Sequence, residues 1–220
     1  KAPFSLSNDV TVLTNGLSKF NRMWEAVRRA EHHIHLEYFI FKDDLIGKEL
    51  AALLIEKAKA GVEVRLIYDA VGSWSLDKAF IKSLKVAGIQ VYPFFKVPLP
   101  IFSRDLNYRN HRKIVVIDGV IGFVGGINIG NEYIGRSDKF TFWRDTHLEI
   151  KGEAVYALQT IFLNDWNFVS KGFVDGSVYF PKSKVTKQSL VQIAASGPDS
   201  KWQSILQAFY KMIANAEEKI

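Results

Sequence analysis

The ten residues Val115–Val124, VVIDGVIGFV, leave the chain little conformational choice. Two apolar, β-prone runs flank Asp118-Gly119, and a type I′ turn needs positive φ at both central positions, which Asp-Gly supplies best. A two-residue hairpin here pairs residues whose numbers sum to 237. His111 then faces Gly126, Lys113 faces Val124 and Arg109 faces Asn128. His111, Lys113, Gly126 and Asn128 fall on one side at one end, and Ile114, Val116, Ile121 and Phe123 are directed to the other. A slip or bulge near the glycines is the alternative register.

The rest of the chain alternates. Val10–Thr14 reads as a strand, 21–31 as a helix, and HIHLEYFIF as extended chain. A helix over 45–60 closes at Gly61, VEVRLIYD is a strand, a helix over 78–87 closes at Gly88, and IQVYPF is a strand. A strand over 142–151 and a helix over 153–169 follow. This pattern predicts an α/β layered domain. The loop 96–109, KVPLPIFSRDLNYR, is unusually greasy: it either folds onto the core or forms an apolar lip, spanning about Pro93–Phe102, for lipid tails or a membrane. The polar, basic stretch 171–189 has neither period and is the expected linker.

An internal echo suggests how the chain is divided. VTVLTNG at 10–16 recurs as VQIAASG at 191–197, and MWEAVRRAEHHI at 23–34 as FYKMIANAEEKI at 209–220. Strand, turn glycine and helix succeed one another in both copies. The expectation is one repeat over 1–189, its linker starting near 170, and the opening strand and helix of a second over 190–220. The chain is then a fragment of something longer; chance similarity of two amphipathic segments is the alternative.

Chemistry concentrates at the hairpin's mouth. Lys113 and the Asn128 amide can hold a phosphate, Gly126 leaves room opposite the imidazole, and neutral His111 can attack phosphorus. Asp118, in the turn, is first of all structural. There is no cysteine, so disulfides, thiolate zinc sites and a cysteine nucleophile are excluded. No apolar run reaches the ~20 residues of a membrane span. The net charge of +6 favours an anionic partner, nucleic acid or acidic lipid.

The complete string, His-x-Lys, four residues, Asp, six residues, Gly-Gly-x-Asn, resembles the signature of the phospholipase D superfamily, at His111, Lys113, Asp118, Gly125, Gly126 and Asn128. NHRKIVVIDG, GGINIGNEYIG, FWRDTHLEIKGEAV and SGPDS are similar to bacterial cardiolipin synthases from about Asn21 onward. The resemblance implies a layered sandwich with a mixed central sheet flanked by helices, one repeat of a two-repeat fold. Two such motifs meet at one active site, working through a phosphohistidine with no metal or cofactor.

The same resemblance implies His111 as nucleophile and Lys113 and Asn128 as phosphate ligands, with Asp118 counted among the motif's catalytic residues. Asp145 is the candidate to orient the imidazole; an ion pair with Arg144 or another base is its alternative role. The second half, with its own histidine as acid and base, is expected beyond Ile220 in the same parent chain, or from a second copy. The implied reaction joins two phosphatidylglycerols into cardiolipin and glycerol at an anionic membrane surface, on the cytoplasmic side of the cell membrane, with no nucleic acid partner. Weaker pocket candidates are Arg109, Glu37, Tyr38, Tyr68, Asp69, Asn131 and Glu132. His32, His33 and His35 read as helix-end histidines that favour the dipole rather than a metal set. The rival readings are a lipid hydrolase or nuclease of the same superfamily, and a non-catalytic phosphate- or membrane-binding module.

Overall fold

A computed structural model describes residues 2–95, 109–136, 141–197 and 202–220. The greasy loop expected beside the site falls mostly on residues 96–108, outside the described residues. Strands β1 (Phe4–Ser5), β2 (Asn8–Asn15), β3 (His33–Tyr38), β4 (Glu63–Asp69), β5 (Gln90–Phe94), β6 (Lys113–Ile117), β7 (Ile121–Gly125), β8 (Arg144–Gly152) and β9 (Val191–Gln192) alternate with helices. These are α1 (Gly16–Arg28), α2 (Leu45–Lys59), α3 (Lys78–Val86), α4 (Ala154–Ser170) and α5 (Ser204–Ala214).

Seven strands form one mixed sheet in the order β2-β8-β7-β6-β3-β4-β5. β3, β4 and β5 run parallel because α2 and α3 carry the crossovers, and the remaining pairs are antiparallel. Capping side chains start the first three helices: Asn15 accepts from the Ser18 N–H at 2.8 Å, Asp44 from Gly47 at 3.2 Å and Asp77 from Ala79 at 2.7 Å. Helices α1–α3 cover one face, burying Phe20, Met23, Leu50, Leu54 and Leu84 with Val115, Ile117 and Phe123. Helix α4 covers the other, packing Val155 and Leu158 on Ile114 and Val116, and Phe162 and Trp166 on Ile67. With both faces covered, all six residues of β3 are buried.

The hairpin turn forms as read, with φ of 52° at Asp118 and 66° at Gly119 and the Val120 N–H donating to Ile117 O at 3.1 Å. The register does not. Ile117 stands opposite Ile121 and Ile114 opposite Val124, a sum of 238, because Val120 is an extra, bulged residue. Continuing that register sets Lys113 against Gly125. Ile121 and Phe123 consequently share the α1–α3 face with Val115 and Ile117, not the face of Ile114 and Val116.

Two other expectations also change. The stretch expected as a linker is docked at its start: Tyr179 is buried against Phe162 and Trp166, and its hydroxyl reaches Glu63 at 3.0 Å. His33 and His35 do not end a helix. They lie buried on β3 under α4 and Tyr179, where desolvation first and then mutual repulsion push His33 down to about 3. Beyond the docked stretch, β9 pairs with β1, while α5 keeps Leu206, Phe209, Met212 and Ile213 exposed.

Asp118 ties this hairpin to the entry of β3. Its carboxylate accepts the backbone N–H groups of Glu31, His32 and His33 at 2.9, 2.8 and 2.9 Å. Charge-assisted bonds of this kind contribute roughly 1.5–3 kcal/mol each, less where water competes. Asp118→Ala should therefore lower the unfolding free energy by about 3 kcal/mol in urea titrations, and an unchanged midpoint would remove the anchor role.

Candidate active site

The site sits where β3, β6, β7 and β8 end together. Lys113 opens β6 and is only 4 % exposed. Its Nζ lies 2.9 Å from His111 Nδ1 and 3.3 Å from Nε2, and donates to the His111 carbonyl at 2.7 Å. The Phe39 ring packs against the imidazole at 4.5 Å and lies 5.3 Å from the ammonium. Nothing in the motif points to Phe39; its place at the end of the buried strand β3 was the available signal.

Burial, then the Lys113 charge, lower the His111 pKa from its ordinary 6.5, against a smaller opposing pull from Asp69. At neutral pH the ring is therefore neutral and keeps a lone pair for attack. Burial also lowers Lys113, to about 8, with the Asp145 carboxylate opposing it. The lysine is still a cation at pH 7.

Gly125 and Gly126 serve differently from the open space expected of them. A Cβ on Gly125 would meet the His147 Cα and the Thr146 carbonyl at 2.5 Å, and one on Gly126 would meet Asp145 Oδ1 at 2.1 Å. Their bare backbone admits β8, and the gap at Gly126 is filled by Asp145. That carboxylate accepts from Trp143 Nε1 at 3.2 Å and the Thr146 N–H at 2.7 Å. Its charge acts on Lys113, and no Asp145–His111 hydrogen bond occurs among the described contacts. Arg144 donates to the Asp145 carbonyl and, among the described residues, forms no ion pair with its carboxylate, so among the bases it is Lys113 that feels the Asp145 charge. His147 is fully buried and accepts from the Ile127 N–H at 3.4 Å, holding the strap that carries Asn128.

Asn128, 5 % exposed, accepts from the Ile40 N–H at 3.0 Å and donates to the Tyr133 hydroxyl at 2.7 Å. This anchors it beside Phe39 and leaves one amide proton for a ligand. Tyr133 was missed because it lies beyond the motif's last residue. Asp118 does not join the cluster: β6 separates it from His111 by roughly 20 Å at ~3.3 Å per residue. Asn131 and Glu132 tie the following turn to α2 and Lys42. Tyr68 packs into the α1–α3 face, and Tyr38 is buried there too. Glu37 is 1 % exposed and bonds Asn110, so it cannot line a pocket. Asp69 is fully buried and accepts from Val71, Gly72 and, at 3.0 Å, the Asn110 N–H. Arg109 does line the cavity of about 790 Å³ that opens beside His111 and Lys113 and continues between α4 and residues 193–197.

Residues 23–166 match the family model described as cardiolipin synthase, PLD-like domain. The chain belongs to this family. As a PLD-like domain of that family it is 50 % identical to a cardiolipin synthase of Geobacillus sp. (strain WCH70), over the whole chain but 44 % of the relative. It is 46 % identical to the major cardiolipin synthase ClsA of Bacillus subtilis, over 46 % of that protein. The chain thus spans a little under half the length of these curated relatives. Among solved structures, phosphatidylserine synthase of Haemophilus influenzae matches with a TM-score of 0.66 at 15 % identity, over 98 % of this chain and 56 % of that one. The phospholipase D family member Nuc of Salmonella typhimurium matches with a TM-score of 0.55 at 17 % identity, over 73 % of this chain and 95 % of that one. Both likenesses confirm the fold.

The site's charge should be readable without turnover. Dimethyl phosphate keeps a single negative charge across the relevant range, so any pH dependence of its binding belongs to the protein. Its affinity should fall as pH rises through about 8, where Lys113 loses its proton, and the fall should vanish in Lys113→Met. Binding that is flat from pH 7 to 10 would deny Lys113 the role of phosphate ligand.

Proposed function

We propose that this chain carries one half of a cardiolipin synthase active site, in which His111 takes up a phosphatidyl group. The observation that carries the reading is the pairing of a neutral His111 with the cationic Lys113 Nζ, 2.9 Å apart, at the mouth of a cavity. A neutral imidazole beside a fixed cation suits attack on a phosphodiester, because the cation keeps the ring unprotonated and, on turning to the charged oxygens of a bound phosphodiester, releases the ring nitrogen.

In the first step the imidazole attacks phosphorus of one phosphatidylglycerol, a P–N bond forms and the P–O bond to the head-group glycerol breaks. The leaving alkoxide takes a proton from the histidine of a second half. In the second step a head-group hydroxyl of another phosphatidylglycerol attacks phosphorus, its proton passes to that same histidine, and the P–N bond breaks. Cardiolipin and glycerol result, with retention at phosphorus. Lys113 and Asn128 hold the non-bridging oxygens.

Two features support a second half in the longer parent. The curated relatives are more than twice as long. Helix α5 also exposes the apolar residues whose counterparts in α1, among them Met23 and Val27, are buried against a sheet. We assign the parent to the cytoplasmic side of the cell membrane, and the net charge of +6 on this chain supports an anionic lipid partner. Among the described residues no helix is long and apolar enough to cross a membrane. Water attacking the same intermediate gives the alternative hydrolase.

His111→Asn in the parent should abolish phosphatidyl transfer, by roughly a thousandfold or more, with unchanged circular dichroism. Normal activity would discard the nucleophile. The 220-residue chain alone, at concentrations where it is monomeric, should make no cardiolipin from phosphatidylglycerol vesicles; robust turnover there would contradict the two-half site.

A further inference from the structure

Beneath the turn that carries His111 lies a buried polar group that the proposed chemistry does not use. Glu37 stands on β3 facing α4, with Ile67 and Ile114 as its neighbours in the sheet. One of its oxygens accepts from the Asn110 side-chain amide. The other is buried without a hydrogen-bond partner, and the Asp165 carboxyl of α4 lies beside the Glu37 side chain. Asp165 in turn receives the Arg112 guanidinium at 2.5 Å.

Asn110 works at three points. Its amide donates to Glu37, its backbone N–H donates to Asp69 at 3.0 Å, and its side-chain oxygen accepts the Arg112 N–H at 3.1 Å. The residues on both sides of His111 are thereby fastened to one floor, Asn110 through Glu37 and Asp69 and Arg112 through Asp165.

The charges facing Glu37 decide its state. Asp165 comes from α4, Arg112 and Asn110 from the turn, and Asp69 from the end of β4; farther back along the strand lie His35, held neutral by burial, and the Arg65–Glu63 pair. An ionised Glu37, itself shut off from water and beside Asp165, would be left without a cation of its own among the described contacts, because Arg112 is paired with Asp165, and this is costly. A proton on the orphan oxygen of Glu37 removes that charge and supplies the missing hydrogen bond to Asp165. Consistent with this, burial first and Asp165 second push the Glu37 carboxyl well above the usual range.

We propose that Glu37 and Asp165 share one proton beneath the Asn110–Arg112 turn and, through Asn110 and Arg112, position His111 for attack. Glu37 is thus a positioning residue whose neutral form matters, and the inference rests on His111 being the nucleophile. A misplacement of about 1 Å at a reacting group costs up to ~100-fold in rate.

The test uses the parent protein with phosphatidylglycerol vesicles. Glu37→Met, similar in volume, should lower kcat at least about tenfold with KM unchanged, and Glu37→Gln, which keeps both an acceptor and a donor, should restore kcat to within about threefold of wild type. An unaffected Glu37→Met overturns the positioning role. Glu37→Gln falling as far as Glu37→Met overturns the shared proton. Should Glu37→Met not fold, Asn110→Ala severs the same contact from the turn side and must give the same split between kcat and KM.

A readout independent of turnover separates this inference from the assigned reaction. Diethyl pyrocarbonate modification of His111 in the 220-residue chain, measured by mass spectrometry relative to exposed His32, should match wild type in Glu37→Gln. It should differ at least about twofold in Glu37→Met. If the parent transfers no phosphatidyl group, the proposed function fails, and equal His111 reactivity in all three proteins then overturns the positioning role as well.

Discussion

Two missing side chains let the site exist. At Gly125 and Gly126 the backbone of β7 lies so close to β8 that any Cβ would overlap Thr146, Asp145 or His147. That approach brings the Asp145 carboxylate within electrostatic reach of Lys113 and lets His147 hold the strap running to Asn128. An alanine at Gly125 would have to displace backbone, and one at Gly126 would have to push the Asp145 carboxylate off its bonds to Trp143 and Thr146. The pair of glycines is therefore a packing requirement first, and its chemical consequence is an acid placed across β7 from the lysine.

The electrostatics at this edge follow from competition between dehydration and neighbouring charge. For Lys113, burial outweighs Asp145 and moves the pKa from 10.5 to about 8, a differential interaction of about 3 kcal/mol. The balance stops short of neutralising the ammonium at pH 7. For His111, burial and Lys113 act in the same direction, so the imidazole stays unprotonated while its neighbour stays charged. The site thus holds an ammonium and an unprotonated imidazole in contact. Beneath them, Asn110, Asp69, Glu37 and the Arg112–Asp165 pair form a polar floor.

Much of this was legible in the sequence, and the errors have physical causes. Helix ends at Gly61 and Gly88 and the turn at Asp118-Gly119 were readable because their positive φ angles demand such residues. The register slipped by one because a turn type fixes its own two residues, whereas the bulge at Val120 depends on what the strands pack against. Gly126 was read as empty space because one sequence shows a missing side chain without showing which neighbour fills it. Glu37 was read as a pocket residue from its place near a strand end; only the covering helix, with Asp165 above it, makes that position interior. His33 and His35 were misplaced for the same reason, since burial by α4 and Tyr179 is a long-range fact.

The central claim is that His111 bonds covalently to phosphorus. Rapid acid-free quenching of the parent protein during turnover on phosphatidylglycerol, followed by proteolysis and mass spectrometry, tests it directly. The account predicts a phosphatidyl adduct on the peptide containing His111, with the fragment ions placing it on that residue. An adduct found solely on a histidine of the other half, with His111 unmodified throughout turnover, would contradict it.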